Sequence, residues 1–207
     1  METRKIAIKK NSIVLFQGDS VTDCHRNRED ENDLGNSYVK YVNSYLKDFN
    51  IKVINKAISG NRVDHLLQRF DNDFKAVNPD YLFLLIGVND TWHNFPNNKD
   101  DVTFYNEFDL LLTKISKEMN CNIILLEPFI IGYNKETTIM RKDLLGKIEI
   151  IRDLAKKYKC EYITFENDIA EILVSEDDAQ YSLDGIHPFD ITYQIMAKKI
   201  ISKIDII

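Results

Sequence analysis

The chain has 207 residues, 44% of them hydrophobic and 29% charged, and a formal net charge of -6. This is the composition of an ordinary globular protein, long enough to bury one sizeable core, and residues 1–207 read as a single domain. The acidic balance argues against nucleic acid or an anionic membrane as the main partner.

Met1 to Lys10 carries neither an apolar h-region nor a cleavage pattern, and Arg4, Lys5, Lys9 and Lys10 read as a solvated leader. Ser12-Ile13-Val14-Leu15-Phe16 is an unalternated run of strand-favouring residues, which predicts a strand buried on both faces. It stops at Gly18. Ser20 follows just past the carboxyl end, where open α/β sheets place ligands and chemistry. A lone serine there is more often a helix cap than a nucleophile, so its partners decide its role.

Thr22 to Asn36 is polar and reads as a long loop on the ligand side. Asn36 or Ser37 then caps a helix whose apolar positions are Tyr38, Tyr41, Val42, Tyr45, Leu46 and Phe49. A second strand, Ile51 to Ile54, ends at Ala57-Ile58-Ser59-Gly60-Asn61-Arg62. One helix follows, with Val63, Leu66, Leu67, Phe70 and Phe74 on one face. Tyr81 to Ile86 is the strongest strand and runs into Gly87-Val88-Asn89-Asp90.

A helix from Val102 to Met119, a strand from Cys121 to Leu126 and a helix from Thr137 to Tyr158 come next. A strand at Cys160 to Phe165 and a short helix near Ile169 to Val174 precede the irregular Asp184-Gly185-Ile186-His187-Pro188. Asp190 is the expected N-cap of the last helix, with Ile195, Met196, Ile200 and Ile204 facing inward. Five strands alternating with helices predict a parallel sheet covered on both faces, with a flavodoxin-like strand order.

On such a sheet the polar residues converge. Ser20, Gly60, Asn89, Asp184 and His187 all follow strands at one edge. Nucleophilic acyl transfer needs a hydroxyl, a base, an acid to orient the base, and donors for an oxyanion. Ser20, His187 and Asp184 fit the first three roles, the Asp-x-x-His spacing turning both side chains to one side of a single turn. The backbone N–H groups of Ser20 and Gly60 and the amide of Asn89 fit the oxyanion hole. Each residue alone has a plainer reading, as a turn, a strand exit or a surface ion pair; Asp19 reads as a cap of the turn and His65 as surface. Trp92 and Phe95 are candidates for a flat face against a sugar ring, or a loop plug, and His93 for a place beside them.

Gly18-Asp19-Ser20, Gly60, Gly87-x-Asn89-Asp90 and Asp184-x-x-His187-Pro188 resemble, in order, the four signature blocks of the SGNH (GDSL) hydrolases. The resemblance spans essentially the whole chain and implies a flavodoxin-like three-layer α/β/α sandwich and serine esterase chemistry. Gly18 to Cys24, Asn55-Lys56-x-Ile58-Ser59-Gly60-Asn61, Asn89-Asp90-x-Trp92, Pro128-Phe129 and Met140-Arg141 look like the intracellular acetylxylan esterase branch. His25 stands where that branch has a small residue such as glycine, which bears on substrate detail.

The expected substrate is therefore a small-molecule acylated sugar, with acetyl as the acyl group and xylan-derived oligosaccharides as the acceptor. Short-chain lipid or thioester hydrolysis is the runner-up. A dinuclear-metal phosphoesterase is a weaker rival, because the chain lacks an early Asp-x-His and a histidine directly after Asn89, and a non-catalytic carbohydrate-binding protein would not need Ser20, Asp184 and His187 together. No cofactor and no metal are expected. Three separated cysteines (Cys24, Cys121, Cys160) without a CxxC pair, and the absence of a leader, point to the cytoplasm. Homo-oligomerisation stays open.

Overall fold

A computed structural model describes residues 5–93, 100–131, 134–165, 168 and 181–207. The first element is a three-residue strand, β1 (Ile6–Ile8), and the lysine-rich start is thus not merely a solvated leader. β1 pairs in parallel with the last strand, β7 (Ile204–Ile206), in a two-stranded sheet that ties the two ends of the described chain together.

The main sheet has five parallel strands: β2 (Ile13–Gly18), β3 (Lys52–Asn55), β4 (Tyr81–Leu85), β5 (Asn122–Leu126) and β6 (Glu161–Ile163). Their order is β3-β2-β4-β5-β6, the flavodoxin-like order, with β4 at the centre between β2 and β5. Alternate residues of the central strands feed opposite faces, and both faces are dry. Val14, Phe16, Phe83 and Leu85 pack under α2 (Tyr38–Leu46) and α7 (Asp190–Ser202). Leu15, Leu82 and Leu84 pack under α3 (Val63–Gln68), α5 (Asp101–Glu118) and α6 (Lys135–Tyr158). Phe16 and Phe83 stack at 4.9 Å between ring centroids where β2 and β4 meet. The three layers are therefore helix, sheet, helix.

Two helices that matter most for the site are single turns: α1 (Ser20–Asp23), directly after β2, and α4 (Val88–Trp92), directly after β4. Both open at the carboxyl edge of the sheet.

Several expectations need correction. The apolar run from Val63 to Phe74 is not one helix: α3 stops at Gln68 and a π-helical turn spans Asp71–Lys75. The wider turn still buries Phe70 and Phe74, which stack at 5.6 Å. Asp190 is not the cap of α7. Phe189 occupies the cap position, and the Asp190 carboxylate instead accepts the Tyr41 hydroxyl at 2.6 Å. Ile204 belongs to β7 rather than to the helix. Ser37, not Asn36, caps α2 by accepting from the Val39 N–H. The helix expected near Ile169 to Val174 lies outside the described residues. Among the described residues no helix is long and apolar enough to cross a membrane.

Candidate active site

Strand β2 delivers its chain to the carboxyl edge through Gly18, where the backbones crowd: a Cβ there would stand 2.2 Å from the Leu85 carbonyl oxygen. Asp19 then caps α1, its Oδ1 accepting the Val21 N–H at 3.0 Å. Ser20 is the first residue of that turn, so its own N–H has no intrahelical acceptor.

His187 reaches this serine from the far end of the chain. Its Nε2 lies 3.0 Å from Ser20 Oγ, and its Nδ1 lies 2.7 Å from Asp184 Oδ2. The other Asp184 oxygen accepts two backbone N–H groups, from Ile186 at 2.9 Å and from His187 at 2.8 Å. Partial burial works against ionisation of Asp184, but these backbone donors and the imidazole outweigh it and hold the carboxyl below its usual range. The Asp184–His187 turn is anchored from below. Ile186 is buried against Val88, Ile130, Met140 and Leu144. Gly185 sits at φ +84°, and a Cβ there would meet the Ile131 carbonyl oxygen at 2.4 Å.

Gly60 lines the same cavity as His187. It holds φ +80°, a conformation that glycine adopts freely, and faces the His93 ring, whose Nε2 would be 3.8 Å from an added Cβ. Asn89 is fully buried on α4. Its Nδ2 donates to the Asn61 carbonyl at 3.0 Å, which leaves the amide a second N–H and ties the Asn89 turn to the Gly60 loop.

Trp92 ends α4 and meets the His187 ring edge-on at 5.4 Å, while stacking on His93 at 5.1 Å. Burial together with the positive charge of Arg62 lowers the His93 pKa. Phe95, grouped with these two in the sequence, lies outside the described residues.

These side chains surround a cavity of about 470 Å³ lined by Ser20, Gly60, Trp92, His93 and His187, among others. It also takes in Cys24, His25, Leu183, Phe189 and Tyr193, none of which the residue pattern singled out as lining. His25 has φ +61°, which accounts for the expectation of a glycine there. His65, read as surface, accepts the Arg62 N–H at 3.1 Å through Nδ1 and so helps cap α3.

Sequence reasoning also missed the scaffold behind the loops. Asn55 Nδ2 donates to the Thr22 and Leu34 carbonyls, both at 2.9 Å, while its Oδ1 accepts the Ala57 N–H. Arg69 binds Gln17 Oε1, Asn61 Oδ1 and the Lys56 carbonyl, pinning the loop after β3 to the end of β2. A polar residue that bonds to a distant carbonyl leaves no periodic trace, so only the block Asn55 to Asn61 hinted at it.

Elsewhere the carboxylates of Asp64, Asp90 and Glu107 come within 4.8 Å of one another. Oxygen ligands of that kind suit a hard cation, but all three already have polar partners and none lines the cavity.

A flavodoxin-order parallel sheet with a serine, a histidine and an aspartate in contact at its carboxyl edge marks a carboxylic ester hydrolase. The chain belongs to the GDSL-like lipase/acylhydrolase family, whose model matches residues 16–195. An acetylxylan esterase from Geobacillus stearothermophilus is 31% identical over 205 residues, covering 92% of this chain and 93% of that protein. The crystal structure of Axe2, an acetylxylan esterase from the same organism, matches with a TM-score of 0.86 at 27% identity over 96% of both chains. Catalytic mutants of Axe2, with a serine, a histidine or an aspartate replaced by alanine, match with the same TM-score at 26% identity. LAE5, an α/β hydrolase from the metagenome of Lake Arreo, matches with a TM-score of 0.84 at 24% identity over 95% of this chain and 96% of its own, and so shares the fold.

Proposed function

We propose that this esterase uses Ser20 as nucleophile, His187 as general base and Asp184 as the group that orients the base, and that it removes acetyl groups from the hydroxyls of short xylan-derived sugars. The observation that carries the mechanism is the unbroken hydrogen-bond chain from Ser20 Oγ through both ring nitrogens of His187 to Asp184.

In this reading Ser20 Oγ attacks the ester carbonyl while His187 Nε2 takes the hydroxyl proton. Asp184 holds the ring in the tautomer that leaves Nε2 free and stabilises the imidazolium that forms. The tetrahedral oxyanion is held by the N–H groups of Ser20 and Gly60 and by the second N–H of Asn89. His187 then gives its proton to the departing sugar hydroxyl, and water, activated by the same base, releases acetate from Ser20.

Support for the substrate comes from the acetylxylan esterase relatives and from Trp92, which lines the cavity with its ring edge-on to His187 and so offers an aromatic surface beside the base. Initial rates on acetyl, butyryl and octanoyl 4-nitrophenyl esters test it, together with acetate release from acetylated xylo-oligosaccharides. Acetyl should have the highest kcat/KM and the sugars should release acetate. Preference for octanoyl would favour the lipid or thioester reading, and sugars that release no acetate would remove the deacetylase reading.

A further inference from the structure

The geometry points to Asp23 as the positioning residue that sets the oxyanion hole, by clamping the loop that carries Gly60 to the turn that carries Ser20. This rests on the serine esterase reading above.

Asp23 is the last residue of α1, within one turn of Ser20, and its side chain is buried. Its Oδ2 is the meeting point of three donors. The Ser59 backbone N–H donates at 2.8 Å, the Ser59 hydroxyl at 2.7 Å and Arg28 at 2.6 Å. Ser59 is the residue directly before Gly60. Fixing its N–H and its side chain to one carboxylate oxygen orients the Ser59 Cα, to which the Ser59–Gly60 peptide that carries the Gly60 N–H is attached.

On the far side of Gly60, Asn61 is held by Arg69 at 2.8 Å and by the Asn89 amide at 3.0 Å; on the near side the links other than Asp23 are longer. The Ile58 N–H donates to the Gly18 carbonyl at 3.2 Å and Arg26 to the Ala57 carbonyl at 3.3 Å, both further from Gly60. Asp23 therefore holds the side of the loop on which the Gly60 N–H lies.

An anion near a developing oxyanion would oppose catalysis if it were bare. Arg28 at 2.6 Å and the Arg26 Nε at 3.9 Å offset its charge. Half-exposed Arg28 belongs to the polar 22–36 loop, so that loop takes part in the clamp as well. Burial alone would push the Asp23 carboxyl up, yet the Ser59 and Arg28 donors bring it below its usual range, so the clamp stays ionised.

The role differs from a stabilising hydrogen bond in what it changes. A misplacement of about 1 Å at a catalytic group can cost a hundredfold in rate, and it acts on the transition state rather than on substrate binding. Asp23→Ala, Asp23→Asn, Ser59→Ala and their double variant Asp23→Ala/Ser59→Ala would be compared with wild type on 4-nitrophenyl acetate, with thermal melts recorded alongside.

Asp23→Ala should lose about tenfold or more in kcat with KM little changed. Asp23→Asn, which keeps an acceptor for the Ser59 N–H, should recover part of the loss. Ser59→Ala should lower kcat by a smaller factor without lowering the melting temperature appreciably, and the double variant should be no slower than Asp23→Ala, because both act through one link. Should Asp23→Ala fail to fold, Ser59→Ala decides: an unchanged kcat there overturns the proposal. So does an effect confined to KM, or strict additivity in the double variant. Phosphonate labelling of Ser20 in the wild-type enzyme keeps the two claims apart, since its failure sinks the serine esterase reading whereas its success beside unchanged variants sinks only the clamp.

Discussion

Ser20 and His187 are 167 positions apart in the chain, yet Ser20 Oγ and His187 Nε2 are 3.0 Å apart in space. The meeting is made by the sheet: β2 brings one to the carboxyl edge, and the Ile186 anchor brings the other down to it. The predictions below probe the parts of that arrangement separately.

Asp184→Asn should cost roughly a hundredfold or more in kcat. The asparagine must keep its carbonyl oxygen toward the backbone N–H groups of Ile186 and His187, which turns its NH2 toward Nδ1. The ring then carries its proton on Nε2 and cannot accept one from Ser20. Wild-type rates for this variant would remove Asp184 from the mechanism.

Asn89→Ala should lose roughly a hundredfold to a thousandfold in kcat with KM little changed, as expected for an oxyanion donor. The same change releases the Asn61 carbonyl, so a crystal structure of the variant should show whether the Gly60 loop has moved. A change in KM alone would make Asn89 a binding residue.

Gly185→Ala tests the anchor without touching substrate. The added Cβ meets the Ile131 carbonyl oxygen and the residue must keep φ +84°, a combination expected to cost roughly 2 kcal/mol or more. Melting temperature and activity should fall together. A stable, fully active variant would show that the turn can shift freely.

Asp19 gives a pH dependence of stability with an unusual sign. Complete burial, with Asp90 nearby, pushes its carboxyl up to about 7, against the Val21 N–H that favours the ion. Between its unfolded value near 4 and about 7 the folded chain binds the extra proton, so this group's contribution to stability falls as pH rises through that window. Asp23 and Asp184 shift the other way, and their contribution is lost only in acid, below the ordinary carboxylate range. Urea midpoints from pH 5 to pH 8 should therefore decline more in wild type than in Asp19→Asn. Parallel curves would contradict the burial argument.

Much of this was legible in the sequence, and the remainder has a common physical cause. The strand order followed from apolar runs alternating with amphipathic helices, since right-handed crossovers leave few arrangements. Ser20, Gly60, Asn89, Asp184 and His187 were legible because they fall in short blocks, Gly18-Asp19-Ser20, Gly60, Gly87-Val88-Asn89 and Asp184 to His187, that resemble in order the signature of one family. What stayed hidden depends on tertiary partners. Ile6–Ile8 is too short to announce itself and pairs with β7, at the far end of the described chain. Asp190 has the composition of a cap but lies one position inside the helix, where its carboxylate meets the Tyr41 hydroxyl and Lys40. Asp23, Asn55 and Arg69 look like loop polarity until their carbonyl, hydroxyl and amide partners are known.

The most direct test of the account is covalent. A serine-directed organophosphonate should modify the intact protein once, peptide mass spectrometry should place the adduct on Ser20, and esterase activity should vanish in proportion to labelling. Treatment with a chelator should leave the rate unchanged. An adduct elsewhere with Ser20 untouched, or activity lost to the chelator and restored by a divalent metal, would contradict it.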